Sequence, residues 1–269
     1  MNNEKPCVLS IATSDSSGGA GIQADIKAIS ATGSYAATVI ALLTAQNTTA
    51  VTDIHALPLD IISTQIDAVF SDIKVNAVKI GMLYSKDIML HIKERLHYWH
   101  AKNIVLDPVM MSQTGAQLID QQAIVSLKSL FPIATLITPN IPEANFLLDQ
   151  SINNIEAMIS AAEQLGKQYQ TSVLLKGGHL TDSKCCDILF NASSGKIVRF
   201  TDTRINTQNT HGTGCTLSSA IASFLAQGKS LEKAIADAKQ YLTAAINAGA
   251  NWQLGHGDGP VDHFFNIGK

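Results

Sequence analysis

The sequence has 269 residues, of which 46% are hydrophobic, 15% charged and 6% aromatic, with a formal net charge of −3. Charge that sparse, against the ~25% usual in soluble domains, together with a mean hydropathy of +0.13, excludes an intrinsically disordered chain. The scattered Lys and Arg residues give no positive field for a polyanion such as nucleic acid, and the most apolar stretch, 36–43, is far shorter than the ~20 residues that cross a bilayer.

Residues 1–6 are polar and lack the apolar run of a secretory signal, so a cytoplasmic location and no membrane contact are expected. Short runs rich in Val, Ile and Leu then recur at 8–12, 37–43, 77–80, 104–106, 136–138 and 173–175. Helical periodicity fills the intervals. Ile61, Ile62, Ile66, Val69 and Phe70 keep one face apolar, as do Ile88, Leu90, Ile92 and Leu96. Such alternation predicts an α/β fold built from βαβ units, a mostly parallel central sheet with helices on both faces. The runs 187–191 and 196–201 flank a Ser-Gly turn and predict a small appended antiparallel β-hairpin. The segment 182–194 is the candidate for a flexible flap. Further on, Leu217, Ala220, Ile221, Phe224 and Leu225 follow helical spacing to a stop at Gly228. No linker divides the chain, so residues 1–269 read as a single domain. The four cysteines (Cys7, Cys185, Cys186 and Cys215) lack metal-ligand spacing and read as free thiols.

Ligands of open parallel sheets bind beyond the carboxyl ends of the strands. The residues that follow each predicted strand are 14–21 (S-D-S-S-G-G-A-G), 44–48 (T-A-Q-N-T), Gly81-Met82, 107–110 (D-P-V-M), 139–143 (P-N-I-P-E) and Lys176 with 177–179 (G-G-H). One such loop is ordinary turn chemistry; six polar, glycine-rich or charged loops at one sheet edge point to a site.

The strongest single feature is 209–215, N-T-H-G-T-G-C, directly before an amphipathic helix. Glycines let successive amides turn toward one point, and the helix start adds free N–H donors with a partial positive charge. That predicts an anion hole for a phosphoryl group, formed by Gly212, Thr213 and Gly214. Cys215, in the first helical turn, is expected to have its thiolate favoured by the helix dipole, making it a candidate base near neutrality. No G-x-x-x-x-G-K-[ST] element is present. Residues 18–21 superficially suggest a dinucleotide loop, but they depart from G-x-G-x-x-G, and Asp15 is expected to repel a pyrophosphate. Histidines 91, 97 and 100 read as a solvated face, and 256–260 (H-G-D-G-P) as a turn.

In order along the chain, 14–25 (S-D-S-S-G-G-A-G-I-Q-A-D), 44–48, 79–83 (K-I-G-M-L), 107–110, 138–144 (T-P-N-I-P-E-A), 176–179 and 209–218 (N-T-H-G-T-G-C-T-L-S) resemble the hydroxymethylpyrimidine/phosphomethylpyrimidine kinases of thiamine biosynthesis. These are members of the ribokinase superfamily, and the similarity runs from about Val8 to His263. The resemblance implies a ribokinase-like fold, a cytoplasmic homodimer, and ATP and Mg²⁺ as cofactors. It also implies phosphorylation of 4-amino-5-hydroxymethyl-2-methylpyrimidine to its monophosphate and then to the diphosphate.

Roles carried over by motif are expectations of the same kind. Gln46 matches the amide that hydrogen-bonds the aminopyrimidine, with Asp25, Met82, Val109 and Gly19 around the substrate. Asn140, Lys176 and Thr210 fall to ATP, Asp107 and Glu143 to the metal, and Cys215 with Gly212, Thr213 and Gly214 to catalysis. The sequence departs from the family pattern at Thr13, where glycine is usual, at Ser16, where proline is frequent, and at 112–115, which lacks a frequent lysine. The alternatives are a pyridoxal kinase, or a kinase with pyridoxal side activity, a non-catalytic pyrimidine sensor, and, on the imperfect glycine loop alone, a dinucleotide-binding oxidoreductase.

Overall fold

The computed structural model describes residues 4–110, 120–180 and 184–267. Its strands are β1 (Cys7–Asp15), β2 (Tyr35–Gln46), β3 (Val51–Ala56), β4 (Ala77–Ile80), β5 (Ile104–Leu106), β6 (Leu136–Ile137), β7 (Ser172–Leu175), β8 (Lys184–Asn191) and β9 (Lys196–Thr203). The helices are α1 (Gly21–Ala31), α2 (Leu59–Asp72), α3 (Lys86–Tyr98), α4 (Gln121–Leu130), α5 (Ile141–Leu148), α6 (Ile155–Tyr169), α7 (Thr213–Ala226) and α8 (Leu231–Gly249). One sheet runs β3-β2-β1-β4-β5-β6-β7-β8-β9. From β2 to β7 every pairing is parallel, while β3, β8 and β9 join antiparallel.

Both faces of the sheet are covered, which is why its strands contain so few charges. Cys7, Leu9 and Ile11 of β1 point into a core shared with α2 to α6. Val8 points the other way, with Ala77, Val105, Leu136 and Leu174, into a core shared with α1, α7 and α8. The period of two in β1 therefore feeds two separate cores.

The structure departs from the sequence reading at three places. β2 continues to Gln46 and returns as β3, a hairpin the hydrophobic pattern does not announce because every residue of β3 is exposed. Its turn is made by Asn47, whose side-chain oxygen accepts from the amides of Thr49 and Ala50. The described part of the expected flap is instead β8, bonded on both sides within the sheet; residues 182 and 183 lie outside the described residues. In α3 Met89 is buried beside Ile88, Ile92 and Leu96, and Leu90 faces outward.

Candidate functional site

Because six consecutive strands of the sheet are parallel, the residues following β1, β2, β4, β5, β6 and β7 emerge along one edge. A β-bulge at Ala12/Thr13 shifts the end of β1 relative to β2. Beyond it, Asp15 organises its own loop. Its Oδ1 accepts from the Ser17 amide and hydroxyl, and its Oδ2 accepts from the Ala20 amide at 2.8 Å. His211 Nε2 stands 2.9 Å from the same Oδ2. Burial opposes ionisation here, but the bonds from His211, Ser17 and Ala20 outweigh it and bring the carboxyl down to about 2. Asp15 is thus a fully engaged anion rather than the free, repelling charge expected from its position.

The two glycine-rich loops pack directly on each other. Gly212 has φ +78°, and a Cβ there would lie 1.9 Å from the Gly19 carbonyl oxygen; a Cβ on Gly19 would lie 2.2 Å from His211 Cδ2. Only glycine allows this approach. The turn at 256–260 ties the second of these loops to the β2–β3 turn: the Gly259 carbonyl accepts from the His211 amide at 3.0 Å, and the His256 and Gly257 amides donate to Thr48 Oγ1.

Gly212 forms the N-cap of α7, which opens at Thr213. Its first turn faces an ion pair, since a Cβ on Gly214 would sit 3.3 Å from Asp107 Oδ2 and 3.4 Å from Lys176 Nζ. Lys176 Nζ lies 2.9 Å from Asp107 Oδ1, which also accepts from Thr138 at 3.0 Å. Burial alone would raise the Asp107 carboxyl, yet Lys176 and Lys79 hold it below its usual range. Lys176 is raised in turn, because Asp107 and Glu143 offset the cost of burying its ammonium.

Asn140 and Glu143 meet as a capping box on α5. Asn140 Oδ1 accepts from the Glu143 amide, and Glu143 Oε2 accepts from the Asn140 amide, both at 2.8 Å. Burial pushes the Glu143 carboxyl up to about 7 against the pull of Lys176, and the nearby Asp107 anion adds to the rise. Asn140 is bridged to Lys176 across the ends of β6 and β7. Among the described residues, no cluster of three or more His, Cys, Asp or Glu has the arrangement of a protein-made metal cage. Two buried carboxylates beside one lysine are nonetheless the hard oxygen donors that suit Mg²⁺ arriving with a phosphate ligand.

Cys215 lies in the first turn of α7, where its sulfur accepts from the Gly21 amide at the start of α1. The dipole expectation fails here. Burial pushes the thiol up to about 11; Lys79 and the Gly21 amide work against that, while Asp25 and Asp107 reinforce it. The resting site therefore holds a thiol at neutral pH, not the thiolate expected from a helix start.

Gln46, Met82 and Val109 are each half-buried at the ends of β2, β4 and β5. The Gln46 Oε1 accepts from Thr44 at 3.2 Å. Thr13 is buried and its hydroxyl donates to the Met82 carbonyl at 3.2 Å, tying the ends of β1 and β4 together. Ser16 exchanges hydrogen bonds with the Gln46 backbone. Thr210 is half-buried just before His211, its carbonyl accepting from the Thr213 amide. Asp25, expected at the substrate, is 0% exposed. Its oxygens accept from Ser10, Ser219 and Lys79, so it lies beneath the site rather than in its wall. The loop 112–115 lies outside the described residues.

Two residues inside quoted motifs went without a role in the sequence reading: His211 and Lys79. Lys79 carried a usable signal, since it is the one charged residue in the wholly buried A-V-K-I strand and so requires a buried carboxylate partner. His211 had no comparable signal, because its partner is 196 positions away.

Against known proteins, a family model described as phosphomethylpyrimidine kinase matches residues 15–262. The hydroxymethylpyrimidine/phosphomethylpyrimidine kinase of Rhizobium meliloti is 46% identical over 258 residues, covering 95% of this chain and 96% of that protein. The thiamine biosynthesis bifunctional protein ThiED of Geobacter sulfurreducens is 50% identical over 257 residues, 95% of this chain; the chain spans 52% of its length. Among solved structures, an ADP complex of Bacillus subtilis pyridoxal kinase superposes with a TM-score of 0.88 at 32% identity, covering 97% of this chain and 98% of that one.

Proposed function

The chain belongs to the phosphomethylpyrimidine kinase family, and from that premise we propose that it transfers phosphoryl groups from ATP to 4-amino-5-hydroxymethyl-2-methylpyrimidine and then to the resulting monophosphate, in thiamine biosynthesis. The observation that carries this reading is the meeting of the Gly212–Gly214 turn with the Asp107–Lys176 pair. The amides of Gly212 and Gly214 and a lysine ammonium converge where a transferring phosphoryl group would carry its charge.

The chain's own groups divide the work. The amides of Gly212 and Gly214 hold the transferring oxygens, that of Thr213 joining them on leaving the Thr210 carbonyl, and Lys176 offsets their charge. Asn140 and Thr210 flank the nucleotide. Asp107 and Glu143 would hold magnesium, which when bound with ATP neutralises charge on the phosphates. Gln46 can donate to a ring nitrogen and accept from the exocyclic amine, with Met82, Val109 and Gly19 enclosing the ring. Cys215 is positioned as the group that takes up the hydroxymethyl proton. Because it rests as a thiol, only its small ionised fraction serves, a tolerable cost in a reaction driven mainly by positioning and electrostatics. Asp25 acts from below, through Lys79 and Ser219.

The reading extends to a single ribokinase-like domain working as a cytoplasmic homodimer. Leu43, Val51 and Ile54, exposed on the β2–β3 hairpin, are one apolar surface available to a second copy. The four cysteines are free, in keeping with a reducing compartment. Among the described residues, no helix is long and apolar enough to cross a membrane.

The test measures ADP release with the aminopyrimidine, its monophosphate and pyridoxal at equal concentration. Turnover with the first two above that with pyridoxal supports the proposal, and preference for pyridoxal overturns it. The likeness to the pyridoxal kinase structure is the reason for including that arm, since a side activity there fits the shared fold.

A further inference from the structure

One fully buried ammonium has so far been given no task of its own. Lys79, on β4, is 0% exposed, as is its partner Asp25 on α1. Its ammonium lies 2.9 and 2.8 Å from the two Asp25 oxygens. Ser10 donates to one of those oxygens at 2.6 Å and Ser219 to the other at 2.7 Å. Nothing about packing requires a lysine here: the other three residues of this strand are buried and apolar, and removing a charge pair of this kind in favour of apolar groups is often neutral for stability.

What surrounds the pair is the start of α7. The Gly21 amide reaches the Cys215 sulfur, while Asp25, one turn further along α1, receives Ser219, one turn further along α7. The two helices thus meet in matching register, with Cys215 at the upper contact and the Asp25–Lys79 pair at the lower. The side chain of Lys79 reaches along its strand to the sheet edge, where a Cβ on Gly81, at the end of β4, would lie 2.6 Å from its Nζ. The charged groups facing Cys215 are then Lys79 from β4, Asp25 from α1, Asp107 from the end of β5 and, more remotely, Lys176 from the end of β7. Of these, Lys79 alone combines positive charge, full burial and a link, through Asp25, to Ser219 on the turn of α7 that follows Cys215.

We propose that Lys79 is a positioning residue of the phosphoryl-transfer reaction: held by Asp25 beneath Cys215, its ammonium is the built-in counter-charge for the Cys215 sulfur when that sulfur is an anion. The assignment deepens the reading of Cys215 as the proton acceptor and rests on it for its meaning in catalysis. The direction of the field agrees, since Lys79 favours the ionised sulfur more than Asp25 opposes it. Burial alone would discharge the ammonium, but Asp25, with Asp107 and the Cys215 sulfur, together outweigh that cost and keep it charged throughout the working range.

The experiment follows the rate of iodoacetamide modification at Cys215 against pH, read by peptide mass so that no other cysteine needs replacing. Lys79→Met is expected to move the midpoint of this profile upward by about one unit or more, a roughly tenfold slower modification at a fixed lower pH. Lys79→Met combined with Asp25→Asn, which removes both charges, is expected to move it upward by less. A general packing defect predicts no such order. A midpoint that stays put or falls in either variant, or a double variant shifted as far as the single one, overturns the proposal. Should the single variant fail to fold, the double variant alone decides by whether its midpoint rises. Turnover of the hydroxymethyl substrate, measured in parallel, separates the two readings. A raised midpoint with unchanged turnover upholds the role of Lys79 and removes Cys215 as the base, whereas lost turnover with an unmoved midpoint overturns the role of Lys79 and leaves Cys215 in place.

Discussion

His211 Nε2 and Asp15 Oδ2, 196 positions apart in the chain, are held 2.9 Å apart at the junction of the two glycine-rich loops. Asp15 already serves the Ser17 and Ala20 amides, so the histidine completes a carboxylate whose acceptor sites are taken by its own loop. The contact fixes the turn ahead of α7 against the loop after β1, and with it the separation of the phosphoryl and substrate sides of the site.

Asp15→Asn is expected to flatten the acid limb of stability. An aspartate ordinarily titrates at 3.8, and this one at about 2, so folding favours its ionised form. That preference contributes about 2 kcal/mol, fully present above pH ~4 and lost as the pH falls through ~2. Urea unfolding of wild type and variant between about pH 6 and about pH 2.5 checks it, the difference between them narrowing toward acid. A gap that is the same at both ends refutes the assignment.

Cys215→Ala is expected to slow phosphorylation of the hydroxymethyl group by roughly a hundredfold, and phosphorylation of the monophosphate by less than about tenfold. An alcohol must lose a proton as it attacks; a phosphate oxygen is already ionised. Single-turnover measurement of each step makes the comparison, and equal losses remove Cys215 from the proton-transfer role.

The Glu143 carboxyl titrates at about 7 because burial disfavours its charge. As pH rises through that value it becomes an anion able to bind a cation, so kcat/KM for the nucleotide is expected to climb through neutrality. Glu143→Gln retains a side-chain acceptor for the Asn140 amide but no titration, and its profile is expected to be lower and flat over the same range. A climb that survives in the variant assigns the limb to another group.

Gly212→Ala tests the close approach of the loops. The new methyl would stand 1.9 Å from the Gly19 carbonyl oxygen at a φ of +78°. A loss of about 1–3 kcal/mol in stability and of most activity is expected, from the strained backbone and the displaced amides. Calorimetry and steady-state turnover together check it; a variant with wild-type values in both shows that the loops adapt.

The site was legible as a set of strand-end loops because a parallel sheet gathers them by topology, whatever their partners. Individual roles were harder to read where they depend on burial. Asp25 lies in a motif that suggests substrate contact, yet it is sealed below the site by Ser10, Lys79 and Ser219. Cys215 sits at a helix start, which suggests a low pKa, yet the buried surroundings dominate the dipole. Asp15 looked repulsive only because His211 is remote in sequence. The β2–β3 hairpin escaped notice for the opposite reason: β3 is exposed throughout, and strand patterning is written by burial.

The packing of α1 on α7 also bears on when this chain becomes competent. The hydroxyl of Ser219 that completes the Asp25 carboxylate comes 194 positions later. During synthesis, β1 and α1 emerge early, carrying an aspartate and half an active centre that no nearby segment can finish. Closure of the anion-binding turn waits until residues 209–219 have been made. A chain made only as far as β9 therefore has the elements of the sheet but not the contacts between α1 and α7, so on the proposed reading it cannot spend ATP before α7 is in place.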